Sequence, residues 1–225
     1  LWPPILGGFL VQSLASFVLP NAAMVFCVSE YTARDLSEKT GYPVERIRLT
    51  RNPIDASFLS TPDVALPSNP AALFVSRLDI DKIKGVRAAL TFLAQLKRHV
   101  PELSIRVAGG GGEEVRAREI ASSLGLPAIE WLGERHDIAR RMTEASIVVG
   151  SGRVSLEAAA AGRACVLAGT AGGMALLTPT NFKAFQASNY VGYGLTPHPL
   201  DEIAAAATER IKHQDQFNDE RLTLR

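Results

Sequence analysis

The sequence predicts an α/β protein built on a doubly wound parallel sheet. From about residue 70 to 200, apolar runs of strand length alternate with longer amphipathic stretches. The runs are continuous rather than alternating in polarity, as strands buried on both faces require. In the first long stretch, Val86, Ala89, Leu90, Leu93, Leu96 and Val100 recur at i, i+3, i+4 spacing, which puts them on one face of a helix packed on a sheet.

The elements follow in order. No charged residue precedes Glu30, but Pro3, Pro4, Gly7-Gly8 and Pro20-Asn21 interrupt the opening stretch. What remains is an apolar helix over 5–18, shorter than the ~20 residues a bilayer span needs, and no basic region marks a signal peptide. It reads as a buried or interface-packed helix, with peripheral membrane contact as the alternative. Met24–Ser29 is a strand; Ser29 caps a helix through about Lys39, with Gly41 as its stop and Pro43 beyond. IRLTRNPIDASFLSTPDVALPSNP, with prolines at 53, 62, 67 and 70, reads as an extended strand and then a linker.

Beyond the linker, strands at Ala72–Ser76, Leu103–Ala108, Ala128–Leu132, Ser146–Gly150 and Ala164–Ala168 alternate with helices at Val86–Val100, Glu113–Leu124, Asp137–Ala145 and Val154–Ala161. A Gly-rich loop then leads to a helix from about Asn181, and Leu200–His213 closes the fold. At roughly 150 residues per domain, 225 residues make one and a half. The expected division is 1–52 as the tail of one domain, 53–69 as linker, and 70–225 as a complete second domain.

Composition narrows the function. Twenty-four Lys and Arg against 23 Asp and Glu leave a net charge of +1, so nothing draws the chain as a whole to nucleic acid. Cys27 and Cys165 both sit in apolar runs and fit no disulfide or zinc spacing. A reducing, cytoplasmic compartment follows, with membrane association as the alternative.

In open α/β sheets the ligand lies beyond the carboxyl ends of the strands. After the first strand of the second domain comes SRLDIDKIKGV, in which Arg77, Lys82 and Lys84 approach a helix N-terminus, the pattern of a diphosphate site. Gly109 to Gly112 follow the next strand, where a glycine run lets backbone approach a ligand. The run lacks the last glycine of a dinucleotide fingerprint, since Glu114 stands there. Ser151, Gly152, Arg153 and Val154 open a later helix with exposed amides and a cation, and Glu157 lies one turn in, able to accept hydrogen bonds from sugar hydroxyls.

Five segments, in this order, carry a family resemblance. VFCVSEYTARDLSEKTGYPVERIRLTRNPID resembles the end of the N-terminal domain and the crossover of group-one, retaining glycosyltransferases of the GT-B fold. FVSRLDIDKIKGV, RVAGGGGEE, IEWLGE and SLEAAAAGRACVLAG resemble their donor-phosphate loop, glycine loop, base loop and ribose-binding helix. The resemblance implies two Rossmann-like domains. It implies that Arg77 and Lys84, or Lys82, hold the donor diphosphate as the catalytic cations, and that Gly109 and Gly110 lie along the donor. It further implies that Leu132 and Gly133 touch the base, that the Ser151–Val154 turn meets phosphate, and that Glu157 binds ribose. The co-substrate is then a nucleotide diphosphate sugar, with no metal and no further cofactor. The acceptor is an unidentified glycan, lipid-linked or small molecule.

The sequence departs from the family at one point. The first of the family's two glutamates would fall at Val149, and no acidic residue occurs from Ser146 through Leu156. Among the four histidines only His136 falls at the presumed cleft edge, where it also reads as an ordinary helix-start residue. Two alternatives stand: a nucleotide-sugar 2-epimerase-type isomerase, or a non-catalytic nucleotide-binding module. On the leading reading the chain binds a donor nucleotide but does not turn over alone.

Overall fold

The computed structural model describes residues 16–59, 67–126, 128–170, 173–192 and 199–213. The apolar helix expected over 5–18 lies outside them, apart from its last three positions. Two compact units are present, one ending at Pro53 and taking in Ala187–Asn189, the other beginning at Ile54.

The first unit is a β-α-β arrangement. Strands β1 (Val25–Cys27) and β2 (Ile47–Leu49) pair in parallel, with helix α1 (Glu30–Thr40) between them in sequence. The Ser29 hydroxyl accepts the Thr32 amide at 3.1 Å as the N-cap, and Gly41 ends the helix at φ 70°, where a side chain would be strained. Cys27, Ala33, Tyr42 and Ile47 form its buried core. Within the same unit, Asn52 donates to the Asn189 side-chain oxygen at 2.7 Å.

The second unit holds a six-stranded sheet. Its strands are β3 (Ala71–Val75), β4 (Ser104–Ala108), β5 (Ile129–Gly133), β6 (Ile147–Gly150), β7 (Ala164–Ala168) and β8 (Met174–Leu176), in the spatial order β5-β4-β3-β6-β7-β8. All neighbours run parallel except β7 and β8. The helices are α2 (Ile83–His99), α3 (Glu114–Ser123), α4 (Ile138–Thr143), α5 (Arg153–Ala160), α6 (Phe182–Ala187) and α7 (Leu200–Lys212). Most boundaries fall within one or two residues of those expected. The start of α2 is three residues earlier, and β8 was not expected.

The continuous apolar runs have the predicted cause. Ala72, Phe74, Val149 and Val166 belong to one core with α2 and α7, while Leu73, Val148, Cys165 and Leu167 belong to another with α4 and α5. Alternate residues of each central strand therefore face opposite cores, and neither face tolerates a polar side chain. In α2, Val86, Ala89, Leu90, Leu93 and Leu96 are all buried, as the spacing requires.

The strand order fixes where a ligand belongs. From β3 the chain runs outward to β4 and β5, then returns to place β6 on the other side of β3. The direction of winding reverses between β3 and β6, and the crevice beyond their carboxyl ends is the binding position of such sheets. Two features differ from expectation nearby. Residues 54–59, read as linker, include a 3-10 turn at Ala56–Phe58 whose Phe58 is buried against α5 alanines. Asn181, with no evident duty in the sequence, ties down the turn after β8: its Oδ1 accepts the Thr178 amide at 2.8 Å and its Nδ2 donates to the Leu176 carbonyl at 2.9 Å. Asn181→Ala leaves both groups without that partner and is expected to lower stability by about 1–2 kcal/mol, read as a shift in urea midpoint with an unchanged slope.

Candidate functional site

The β3–α2 loop leaves the sheet at the switch point. Arg77 is half-exposed and its guanidinium forks between two carboxylates, Nη1 to Asp79 Oδ2 at 2.7 Å and Nη2 to Asp81 Oδ2 at 3.0 Å. Lys82, the residue before α2, lies 3.9 Å from Asp81. Lys84 is exposed in the first turn and, among the described residues, has no acidic partner within 4.0 Å. Two carboxylates, Asp79 and Asp81, thus stand among the three cations, and the DID between Leu78 and Lys82 was their signal in the sequence. Gly85 lies within the first turn of α2. A Cβ there would meet the Gly169 carbonyl at 3.0 Å, so the glycine lets α2 start close against the loop after β7.

The glycine run after β4 is knitted to that same loop. Gly109 has φ 134°, and a Cβ on it would lie 1.8 Å from the Ser76 carbonyl oxygen; one on Gly111 would lie 2.5 Å from that of Leu78. Leu78 donates to the Gly110 carbonyl at 2.9 Å and accepts from Glu113 at 2.7 Å, and Asp79 Oδ1 accepts the Gly112 amide at 3.3 Å. The amide that Gly109 would offer a donor is already given to the Gly133 carbonyl, at 2.7 Å. Gly110 and Gly112 are different: nothing among the described residues lies within 4 Å of the Cβ position at either. Leu132 and Gly133 end β5, partly exposed, with Gly133 at φ 66°. His136 is exposed on the turn that follows.

Beyond β6 the chain turns sharply into α5. A Cβ on Gly150 would collide with Val154 at 2.3 Å and crowd the Val75 carbonyl at 3.2 Å, which brings the ends of β3 and β6 together. Ser151 follows, and Gly152 takes φ 63°, ψ −128°. Its amide is donated to the Tyr190 carbonyl at 2.7 Å. The amides of Arg153 and Val154, at the first two helical positions, have no acceptor within the helix. Tyr190 is itself buried and left-handed at φ 54°, next to Asn189 at φ 53°. Two successive non-glycine residues in this region cost free energy and are sustained by their surroundings. Here the Tyr190 amide donates to Phe185 at 2.8 Å and its ring stands 5.4 Å from Phe182. No sequence signal announced this pair.

Glu157 lies one turn into α5 and is only 8% exposed. Arg153 Nη2 donates to its Oε1 at 3.1 Å, so this cation is turned toward the carboxylate. Burial raises the Glu157 pKa above the ordinary carboxylate value; Arg153 acts against it, and the negative charge of Asp55 acts with it. Asp55 comes from the segment read as linker. Val149 is fully buried in β6, paired with Phe74 and Val166, and belongs to the apolar core. Both cysteines are buried; burial pushes the Cys165 thiol up to about 12 and raises that of Cys27, so neither is a ready nucleophile. Among the described residues, no three His, Cys, Asp or Glu side chains are grouped to hold a metal, and no helix is long and apolar enough to cross a membrane.

Comparison with known proteins agrees with this fold. The family model described as glycosyl transferases group 1 matches residues 69–208. No curated protein matches the sequence. Among solved structures, Anabaena Alr3699/HepE in complex with UDP and glucose superposes with a TM-score of 0.67 at 21% identity, over 96% of this chain and 60% of that one. WaaG, a glycosyltransferase involved in lipopolysaccharide biosynthesis, gives 0.66 at 15%, over 89% and 56%. TarM gives 0.65 at 13%, over 96% and 42%. At these identities the likeness is one of fold, and the chain spans about three-fifths or less of each of these three proteins.

Proposed function

We propose, for a chain that belongs to the group 1 glycosyl transferases, that residues 70–225 form the donor-nucleotide domain of a GT-B enzyme and residues 1–52 the end of its acceptor domain. The reaction is transfer of a sugar, with retention, from a nucleotide diphosphate sugar to a glycan, lipid-linked or small-molecule acceptor. One observation carries this reading: the β3–α2 loop and the α5 entrance meet at the switch point, with a buried carboxylate one turn inside. HepE, whose structure holds UDP and glucose, lends it support.

Arg77 and Lys84, with Lys82, hold the diphosphate and stabilise the charge that grows on it as the glycosidic bond breaks. Arg153 and Val154 offer to phosphate, from a helix N-terminus, amides that have no acceptor within the helix. Glu157 takes the ribose hydroxyls, and the end of β5, at Leu132 and Gly133, faces the base. In this scheme the cations do the work of leaving-group stabilisation and no metal takes part. Val149 favours a second reading: a chain without the first glutamate binds the nucleotide and does no chemistry.

Titration with UDP, GDP and ADP tests the donor site. One of the three is expected to bind at micromolar concentration, with Arg77→Ala weakening it at least tenfold, the loss of a charge-assisted contact of about 1.5–3 kcal/mol. No binding to any of the three by a folded chain rejects the site. Incubation of nucleotide-binding protein with donor sugar and candidate acceptors then separates transfer from binding alone.

A further inference from the structure

Asp79 and Asp81 have no part in the donor site just described, yet they occupy its cations. Asp79 is tied into the loops on two sides, by Arg77 and by the Gly112 amide. Its role is architectural, since it fastens the β3–α2 loop to the glycine run. Asp81 differs. Its Oδ2 lies 3.0 Å from Arg77 Nη2 and 3.9 Å from Lys82 Nζ, so one carboxylate oxygen faces two of the three cations assigned to the diphosphate. The donors of a guanidinium fit phosphate and carboxylate oxygens in the same way, and the Nη2 edge of Arg77 cannot serve both at once.

We propose that Asp81 is a built-in competitor that sets the affinity for the donor. The diphosphate displaces the Asp81 carboxylate from Arg77 and Lys82 when it binds, and the carboxylate returns to them when the nucleotide leaves. The inference rests on the donor-site reading above. Its size follows from exposure: side chains of Arg77 and Asp81 are 50% and 42% exposed, so water and salt screen the pair and the competition is worth a few-fold in affinity rather than orders of magnitude. Between residues 77 and 84 three cations stand against two anions, and removing one anion leaves the loop distinctly more positive.

The test compares two substitutions that remove the same charge from adjacent loops. Asp81→Asn keeps the side-chain shape and releases Arg77 and Lys82. Glu113→Gln lies on the neighbouring glycine loop, where Glu113 pairs with Arg116 at 3.3 Å instead. With UDP, or with GDP or ADP if one of these is the nucleotide bound, Asp81→Asn is expected to tighten binding about three- to fivefold and steepen its salt dependence, while Glu113→Gln changes it by less than about half as much. Unchanged or weaker binding by Asp81→Asn overturns the competitor role, as do equal gains in the two variants, which would reflect the general field of the surface. In both of those cases nucleotide still binds and the donor site stands. Failure of the folded parent chain to bind any of the three nucleotides rejects the donor site, and the competitor role with it.

Discussion

Gly109→Ala is expected to destabilise the protein by about 3 kcal/mol or more, a large part of the roughly 5–15 kcal/mol that holds a domain folded. Two independent obstacles meet at this position. The backbone stands at φ 134°, a region that L side chains rarely adopt, and the added Cβ would lie 1.8 Å from the Ser76 carbonyl oxygen and 2.8 Å from its carbon. Neither side has room to yield. Ser76 directly follows β3 and donates its amide to Ala108 at 3.1 Å, and β3 and β4 are in register through Val75 and Ala108. The Gly109 amide is fixed on Gly133 as well, so a shift would break the continuation of both ladders. Urea unfolding of Gly109→Ala and Gly110→Ala makes the comparison, because Gly110 has open space over its Cα. Gly110→Ala should stay within about 1 kcal/mol of the parent. If Gly110 lies along the donor, as the family resemblance implies, it should instead weaken nucleotide binding, where the added methyl meets the ligand. Equal destabilisation by the two substitutions would show that the run is sensitive for reasons other than the Ser76 contact.

Four successive glycines announce close approach of backbone to something, but a sequence does not say whether the visitor is a ligand or the next loop. In this fold the answer alternates along the run, with Gly109 and Gly111 against the β3–α2 loop and Gly110 and Gly112 facing open space. The elements with strong local signals were legible: α1 between Ser29 and Gly41, α2 from its apolar stripe, and β3, β6 and β7 from runs that must satisfy two cores at once. β8 was not, because three residues, Met174–Leu176, are too few to show a period and their antiparallel pairing with β7 is a tertiary contact rather than a pattern. The site divides in the same way. Cations at strand ends could be picked out by position, whereas their neutralisation by Asp79 and Asp81 depends on side-chain directions that spacing does not encode. Phe58 and Asp55 were hidden for a related reason, since four prolines made their segment look like a spacer and only tertiary packing brings them to α5.

Glu157→Gln should move stability and binding in opposite directions. In the folded chain burial, reinforced by Asp55, raises the Glu157 pKa over its unfolded value despite the pull of Arg153. The folded state therefore holds the proton more tightly than the unfolded one, and folding is favoured by this group at low pH. As pH rises from the unfolded toward the folded pKa that advantage is lost, and above the folded pKa the buried carboxylate is a net cost. Glutamine has no such charge to bury. The stability of Glu157→Gln relative to the parent should thus be greater at pH 7 than at pH 4, read from urea midpoints at the two values; a difference that does not change with pH would mean that the carboxylate is not strained by its surroundings. Binding runs the other way. If the ionised carboxylate accepts ribose hydroxyls, each charge-assisted bond contributes about 1.5–3 kcal/mol, and Glu157→Gln should weaken nucleotide binding by about 10- to 100-fold at pH 7. The parent's own affinity should fall as pH is lowered through the folded pKa, while that of Glu157→Gln stays flat. A carboxylate kept at a cost to folding, and recovered when a hydroxylated ligand arrives, is what a binding site requires of a buried acid; equal nucleotide affinity in the two proteins would instead assign Glu157 to the helix alone.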